Sequence, residues 1–104
     1  MDAVTAVSGS GPAYAFYLAE SMIEAGLGLG LEPKTAVTLA LKTIEGAVKL
    51  MLESPETPET LRKKVTSPGG TTEAAIAVFQ ERGLEETVRA AMEAACRRSK
   101  ELGG

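Results

Sequence analysis

The alternation of apolar and polar positions along the chain predicts helices joined by loops rich in Gly and Pro. Ala, Leu, Glu and Lys are frequent and aromatic residues make up only 4% of the sequence, which favours helix over strand throughout. Loop residues divide the chain into five predicted helices, at about residues 11–25, 33–53, 58–65, 73–82 and 84–102. The prediction is an all-α domain, a five-helix bundle.

Capping residues set the predicted ends of these helices. Ser8–Pro12 is predicted to be a loop, with Ser10 as N-cap and Pro12 in the first turn of the first helix. The cluster Gly26–Gly30 should end that helix, and Gly83 is a suitable C′ residue between the last two. Each of the five segments therefore has its own start or stop signal.

The first predicted helix is apolar on nearly every side. Between Ala13 and Ala25 only Glu20 and Glu24 are charged, and the second helix confines most of its charges to one stripe. A domain of this size leaves roughly a third of its unfolded surface exposed, so two such helices are hard to cover within one copy. We therefore expect a homodimer, in which a second copy of the chain covers these helices. The alternative is that both are central helices of a compact monomer.

Length and charge narrow the class of protein. The 104 residues suit a single domain, and a net charge of −3 without long basic runs argues against nucleic acid or an anionic membrane as partner. The absence of His excludes imidazole bases and imidazole metal ligands, and we expect no metal site. A single cysteine, no visible secretory signal and no suitable apolar span lead us to expect a cytoplasmic protein.

The segment Ser67–Glu73 combines Pro68, two glycines and several hydroxyls just before a predicted helix. A tight loop of this kind directs its N–H groups, and those of the first helical turn, towards one point that attracts an anion. Ser67 and Thr72 would add hydroxyl donors for a carboxylate or phosphate. The alternative is a simple Pro-Gly-Gly turn with Thr71 as N-cap.

Two other glycine clusters do not complete a dinucleotide-binding fingerprint. Tyr14 and Leu31 stand where G-x-G-x-x-G requires its third glycine, and neither cluster follows a predicted strand. No nicotinamide-binding fold is therefore expected in this chain. Cys96 is predicted to be a small core residue, since no histidine can activate it.

The strings Val7–Tyr14 and Val65–Thr72, in this order and at this separation, resemble the C-terminal dimerisation domain of pyrroline-5-carboxylate reductase. The resemblance extends over nearly the whole chain, through Glu45–Ala47 to the ending Glu93–Leu102. It implies an oxidoreductase of proline biosynthesis that reduces 1-pyrroline-5-carboxylate to L-proline with NADPH or NADH. It also implies a homodimer whose helices interlock between the two subunits, and which can assemble further into rings.

The resemblance further implies roles for the residues of the second string. Ser67, Gly70, Thr71 and Thr72 would bind the substrate, with Ser67 and the backbone N–H groups of Thr71 and Thr72 on its carboxylate. The Thr72 hydroxyl would lie beside the imine nitrogen, which makes Thr72 the expected catalytic residue. The family's N-terminal Rossmann domain is not in this sequence, so residues 1–104 are expected to bind no cofactor and to be inactive alone.

Two other functions remain open at this stage. The chain could be a stand-alone, non-catalytic helical dimerisation module, or a small-molecule binder that uses the Ser67–Thr72 segment for phosphate.

Overall fold

The computed structural model describes residues 1–103, and within this range it is helical with no strand, which confirms the all-α prediction. The chain begins with the short helix α1 and a π-helical segment and continues through five longer helices. Their bounds are α1 Asp2–Val4, the π-helical segment Thr5–Gly9, α2 Gly11–Gly28, α3 Pro33–Glu53, α4 Pro58–Lys64, α5 Thr71–Glu81 and α6 Leu84–Gly103.

The predicted loop at Ser8–Pro12 is wrong, because the chain is already helical from Asp2 to Gly9. The Ser10 N–H donates to the carbonyl oxygen of Thr5 at 2.8 Å, the i to i+5 bond of a π-helix. Ser10 keeps helical angles, φ −87° and ψ −19°, so it is not an extended N-cap. Long-range contacts override the Gly-Ser composition, since α6 packs against this segment and the Ser99 hydroxyl donates to the Asp2 carboxylate at 2.7 Å.

Helix α2 ends later than the predicted Ala25 and closes in a Schellman motif. The Leu31 N–H donates to the Gly26 carbonyl at 3.1 Å, and the Gly30 N–H donates to the Leu27 carbonyl at 3.0 Å. Gly30 has a φ of +101°, the left-handed conformation that this motif requires. The first glycines of the cluster therefore belong to the helix, and only the last one ends it.

The chain forms two compact units, α2 and α3 within Ala13–Pro58, and Met1–Pro12 together with the chain from Glu59 onward. In the second of these units, α6 packs against α1, the π-helical segment and α5, and Ala6 is buried. In the first, Ala36 and Ala40 are buried. The buried apolar residues of the described chain are these three alanines, so neither unit buries a large side chain.

Many large apolar side chains lie at the surface of the helices. On α2, Phe16 is 73% exposed and Tyr17 71%. On α3, Leu39 and Leu50 are each 52% exposed. None of the helices in residues 1–103 has the length and apolar character to cross a membrane. The apolar surface predicted from the sequence is therefore real, and one copy of the chain leaves it open.

Candidate functional site

The Ser67–Thr72 loop follows α4, includes the first two residues of α5 and begins with a tight turn. The Gly70 N–H donates to the Ser67 carbonyl at 3.1 Å, which closes a four-residue turn around Pro68 and Gly69. Gly69 has a φ of +73°, and Pro followed by a left-handed Gly is the signature of a type II turn. The turn therefore brings Ser67 and Gly70, both predicted site residues, into direct contact.

Helix α5 starts immediately after this turn. Gly70 is its N-cap, with extended angles of φ −89° and ψ 179°, and its carbonyl accepts the first helical bond, from the Ala74 N–H at 3.3 Å. The N-cap alternative for Thr71 is thus wrong, because Thr71 is already the first helical residue. Helical geometry leaves the N–H groups of Thr71, Thr72 and Glu73 without an acceptor in α5, and the helix dipole favours an anion there.

The hydroxyls of the loop are also available to a ligand. Within residues 1–103, the side chains of Ser67, Thr71 and Thr72 make no hydrogen bond to another group. Thr72 is half-buried, whereas Ser67 and Thr71 are exposed. The structure therefore places three hydroxyl donors and the free N–H groups of α5 within the seven residues Ser67–Glu73.

Gly70 allows the close approach at the centre of the loop. A Cβ atom at this position would lie 3.3 Å from the Ser67 carbonyl oxygen and 3.8 Å from the Ser67 Cβ. Its φ of −89° is accessible to any residue, so the space and not the dihedral angle favours glycine here. A Cβ at residue 70 would require Ser67 to shift by a few tenths of an ångström.

Glu73 takes part in the loop, although its place in the sequence did not predict a role for it. Its Oε1 accepts the Gly69 N–H at 2.8 Å, so a carboxylate of the first helical turn reaches back to the preceding turn. A Glu at the third position of a helix commonly reaches back towards the N-cap in this way. That spacing, from the N-cap Gly70 to Glu73, was the sequence signal that could have revealed it.

An open groove of about 230 Å³ lies beside the loop, between α4 and α5. Two basic residues and one acidic residue face it, and the remaining lining is uncharged. Its lining residues are Arg62, Lys63, Thr66, Glu73, Ile76, Ala77 and Gln80. The Thr66 hydroxyl donates to the Arg62 carbonyl, which ties the end of α4 to the start of the loop.

The donor set of this site suits a small anion and offers little other chemistry. It provides N–H and hydroxyl donors but no imidazole, and its one carboxylate, Glu73, already accepts a hydrogen bond. Among residues 1–103 no cluster of three metal-binding side chains occurs. Cys96 is half-buried on α6, in keeping with a packing role. What the loop can do is bind and orient an anionic group.

Comparison with known proteins identifies the family. The family model described as pyrroline-5-carboxylate reductase dimerisation matches residues 1–102. The chain belongs to this family. A pyrroline-5-carboxylate reductase of Pseudomonas aeruginosa is 55% identical over 102 residues, which are 98% of this chain and 37% of the relative. The reductase of Synechocystis is 48% identical over 103 residues, 99% of this chain and 39% of the relative.

Solved structures of this enzyme family share the fold. A Plasmodium falciparum pyrroline carboxylate reductase with NADP bound matches with a TM-score of 0.96 at 38% identity, over 100% of this chain and 40% of that one. A Coxiella burnetii pyrroline-5-carboxylate reductase matches with a TM-score of 0.94 at 46% identity, over 97% and 37%. The chain thus spans about two fifths of the length of its relatives.

Proposed function

We propose that this chain is the dimerising, substrate-carboxylate-binding domain of a cytoplasmic enzyme that reduces 1-pyrroline-5-carboxylate to L-proline. Membership of the dimerisation family and the names of its relatives support the reaction. The observation that carries the binding role is the Ser67–Thr72 loop, where a type II turn leads into a helix whose first N–H groups are free. That arrangement suits a carboxylate.

In this proposal the loop orients the substrate. Ser67 and the backbone N–H groups of Thr71 and Thr72 donate to the carboxylate, Gly70 leaves room for their approach, and the Thr72 hydroxyl lies beside the imine nitrogen. Hydride transfer to a C=N carbon depends mainly on holding the two reactants together in the right geometry. The catalytic contribution of this domain is therefore positioning, and it needs neither a histidine base nor a metal ion.

The described residues contain no dinucleotide-binding motif. Residues 1–103 contain no strand, so they contain no βαβ unit with a phosphate-binding turn. We propose that NADPH or NADH is held by a separate nucleotide-binding domain of the parent enzyme, as the NADP in the Plasmodium falciparum relative suggests. The chain alone is then expected to show no turnover.

The exposed apolar surface supports self-association. Phe16 and Tyr17 on α2 are each more than 70% exposed, and full burial of one such side chain contributes about 1.5–3 kcal/mol. A second copy, carrying the same apolar helices, is the partner that covers them without exposing new apolar area. Sedimentation should therefore show a dimer or larger assembly, and a stable folded monomer at micromolar concentration would contradict this part of the proposal.

Activity can be tested by fusing the chain to a nucleotide-binding domain. A fusion behind the nucleotide-binding domain of the Pseudomonas aeruginosa relative should reduce 1-pyrroline-5-carboxylate, with proline formation as the readout. In this fusion Ser67→Ala should raise KM about ten- to a hundredfold, the value of one hydrogen bond to a charged group. Thr72→Ala should lower kcat/KM by a similar factor.

Thr87→Ala is the matched control, because Thr87 is exposed on the first turn of α6 and belongs to no part of the loop. It should leave both parameters unchanged. An active fusion in which Ser67→Ala and Thr72→Ala behave like Thr87→Ala would remove the loop from the mechanism. An inactive fusion with a well-folded chain would favour the non-catalytic dimerisation module.

A further inference from the structure

We infer that Glu73 is a positioning residue for the Ser67–Thr72 loop, and this inference rests on the proposed carboxylate-binding function. Its Oε1 accepts the Gly69 N–H at 2.8 Å. The bond joins the tip of the turn to the first turn of α5. Together with the bond from the Gly70 N–H to the Ser67 carbonyl, it closes the segment from Ser67 to Glu73 on itself.

The loop needs such a tether because it contains two consecutive glycines. Gly loses more backbone entropy on ordering than any other residue, and Pro68 restricts the chain on one side only. Without the Glu73 bond, Gly69 and Gly70 could adopt conformations that move Ser67 away from α5. With it, the Ser67 hydroxyl and the N–H groups of Thr71 and Thr72 keep the relative positions that a single carboxylate would need.

The negative charge of Glu73 acts in the opposite direction. A carboxylate beside an anion site repels the incoming anion, so the tether and the charge oppose each other. Glu73 is exposed, and exposed charges are screened by water and salt. The hydrogen bond, by contrast, is direct and charge-assisted, and bonds of this kind are about twice as strong as neutral ones. We therefore expect the tether to dominate.

Two substitutions separate these contributions. Glu73→Gln keeps an oxygen acceptor for the Gly69 N–H and removes the charge, whereas Glu73→Ala removes both. If the tether dominates, Glu73→Ala should weaken substrate binding and Glu73→Gln should not. Glu81→Ala is the matched control, since Glu81 is an exposed Glu at the opposite end of the same helix.

The first measurement uses the 104-residue chain and needs no substrate. Hydrogen exchange followed by NMR should show the Gly69 amide exchanging about tenfold faster in Glu73→Ala than in the parent, as expected for the loss of one charged hydrogen bond. Glu81→Ala should retain the parent rate, and Glu73→Gln, which keeps a neutral acceptor without the charge, should exchange at a rate between those of the parent and Glu73→Ala. Equal Gly69 exchange in all four proteins would overturn the tether.

The second measurement uses the fused enzyme. Glu73→Ala should raise KM for the imino acid about tenfold and leave kcat within about twofold, because positioning of the carboxylate is lost while the imine chemistry is not. Glu73→Gln and Glu81→Ala should stay within about twofold of the parent. A Glu73→Gln variant that matches Glu73→Ala would show that charge matters and that the tether does not.

Ser67→Ala distinguishes failure of this inference from failure of the proposed function. If Ser67→Ala raises KM and Glu73→Ala does not, the loop binds the carboxylate without help from Glu73. If neither raises KM, the loop does not bind the carboxylate, which contradicts both the proposed binding role of the loop and the positioning role of Glu73. Should Glu73→Ala lose helicity, Glu73→Met replaces it, because Met is a good helix former that lacks the strong acceptor.

Discussion

The Ser67–Thr72 loop and the pair of helices α2 and α3 differ in what stabilises them. The loop is held in its conformation by hydrogen bonds between neighbouring residues, from the Gly70 N–H to the Ser67 carbonyl and from the Gly69 N–H to the Glu73 carboxylate. The α2–α3 pair buries only two alanines and leaves most of its large apolar side chains exposed. A small polar site can thus be specified by a few adjacent residues, whereas an apolar surface of this kind needs a second molecule.

The distinction has an energetic basis. The bonds of the loop are short-range and need the ordering of only a few residues, so their formation depends little on the rest of the chain. The apolar side chains of α2 and α3 gain stability in proportion to the area removed from water, and that area becomes available only on association. A substitution should therefore change either the conformation of the loop or the association of the α2–α3 pair, and leave the other unchanged.

The largest effect is expected for Phe16→Glu, at the most exposed aromatic residue of α2. A charge placed in a surface that a second copy covers should weaken association by at least about 100-fold, or about 2.7 kcal/mol. Thr38→Glu is the control, because Thr38 is exposed on the same stripe of α3 as Lys42. Sedimentation over a range of concentrations measures both variants.

The loop should be indifferent to this change. Gly69 amide exchange in Phe16→Glu should equal that of the parent, since the Gly69–Glu73 bond lies within one short segment. If Thr38→Glu dissociated the assembly as strongly as Phe16→Glu, the apolar face of α2 would not be the interface. If Phe16→Glu also made the Gly69 amide exchange faster, the conformation of the loop would depend on association.

The next effect tests packing within the α2–α3 pair. A Cβ at Gly26 would lie 3.5 Å from the Ala36 Cβ and 3.3 Å from the Leu31 Cδ1. Gly26→Val adds two methyl groups beyond that Cβ and should lower the free energy of unfolding by about 1–3 kcal/mol through overpacking. Chemical denaturation at fixed protein concentration measures it.

Gly28→Val is the matched control two residues later in α2. A Cβ at Gly28 would meet no atom within 4 Å, so this variant should stay within about 0.5 kcal/mol of the parent. If both substitutions lowered the free energy of unfolding equally, the loss would come from placing valine in a helix. The close contact at Gly26 would then not be its cause.

Helix ends and turns could be predicted from the sequence where a residue restricts its own backbone conformation. Pro33 and Pro58 mark the first residues of α3 and α4, and Gly83, with a φ of +76°, separates α5 from α6 as predicted. The Ser67–Thr72 segment could likewise be predicted as a turn leading into a helix, because Pro68 and Gly69 favour that turn through local sterics.

Residues whose conformation depends on distant partners could not be assigned in this way. The helix and π-helical segment before Ser10 pack against α6, and the Asp2 carboxylate pairs with Ser99, 97 positions along the chain. No local pattern reports such a contact. The extension of α2 to Gly28 was missed because three glycines in Gly26–Gly30 offer several stops, and the Schellman bonds select the last.

A smaller effect, of about 1 kcal/mol, is expected for Gly69→Ala. Gly69 has a φ of +73° and Gly83 a φ of +76°, so alanine is strained to a similar degree at both. Thermal unfolding should therefore show comparable losses for Gly69→Ala and Gly83→Ala. In the fused enzyme, only Gly69→Ala should also raise the KM of the imino acid.

Asn tolerates the left-handed conformation better than Ala, so Gly69→Asn should recover part of the stability lost in Gly69→Ala. A KM that rises as much in Gly83→Ala as in Gly69→Ala would mean that general destabilisation, not the shape of the turn, controls substrate binding.

The smallest effect is expected for exposed ion pairs, of which each unit has a similar example. Lys42 Nζ lies 3.2 Å from Glu45 Oε1 on α3, and Arg98 Nη1 lies 3.0 Å from Glu101 Oε1 on α6. The Lys42 and Glu45 side chains are 74% and 68% exposed, so a double-mutant cycle should give a coupling below about 0.5 kcal/mol. The Arg98–Glu101 cycle should give the same.

The two cycles also test where a second copy lies. Water and salt screen both pairs in a single chain, and each coupling should fall further as salt is added. If association covered the Lys42–Glu45 pair, its coupling would grow with protein concentration and lose its salt dependence, while that of Arg98–Glu101 would not. A small, salt-sensitive Lys42–Glu45 coupling at all concentrations would keep the interface on the apolar faces of the α2–α3 pair and away from its charged stripe.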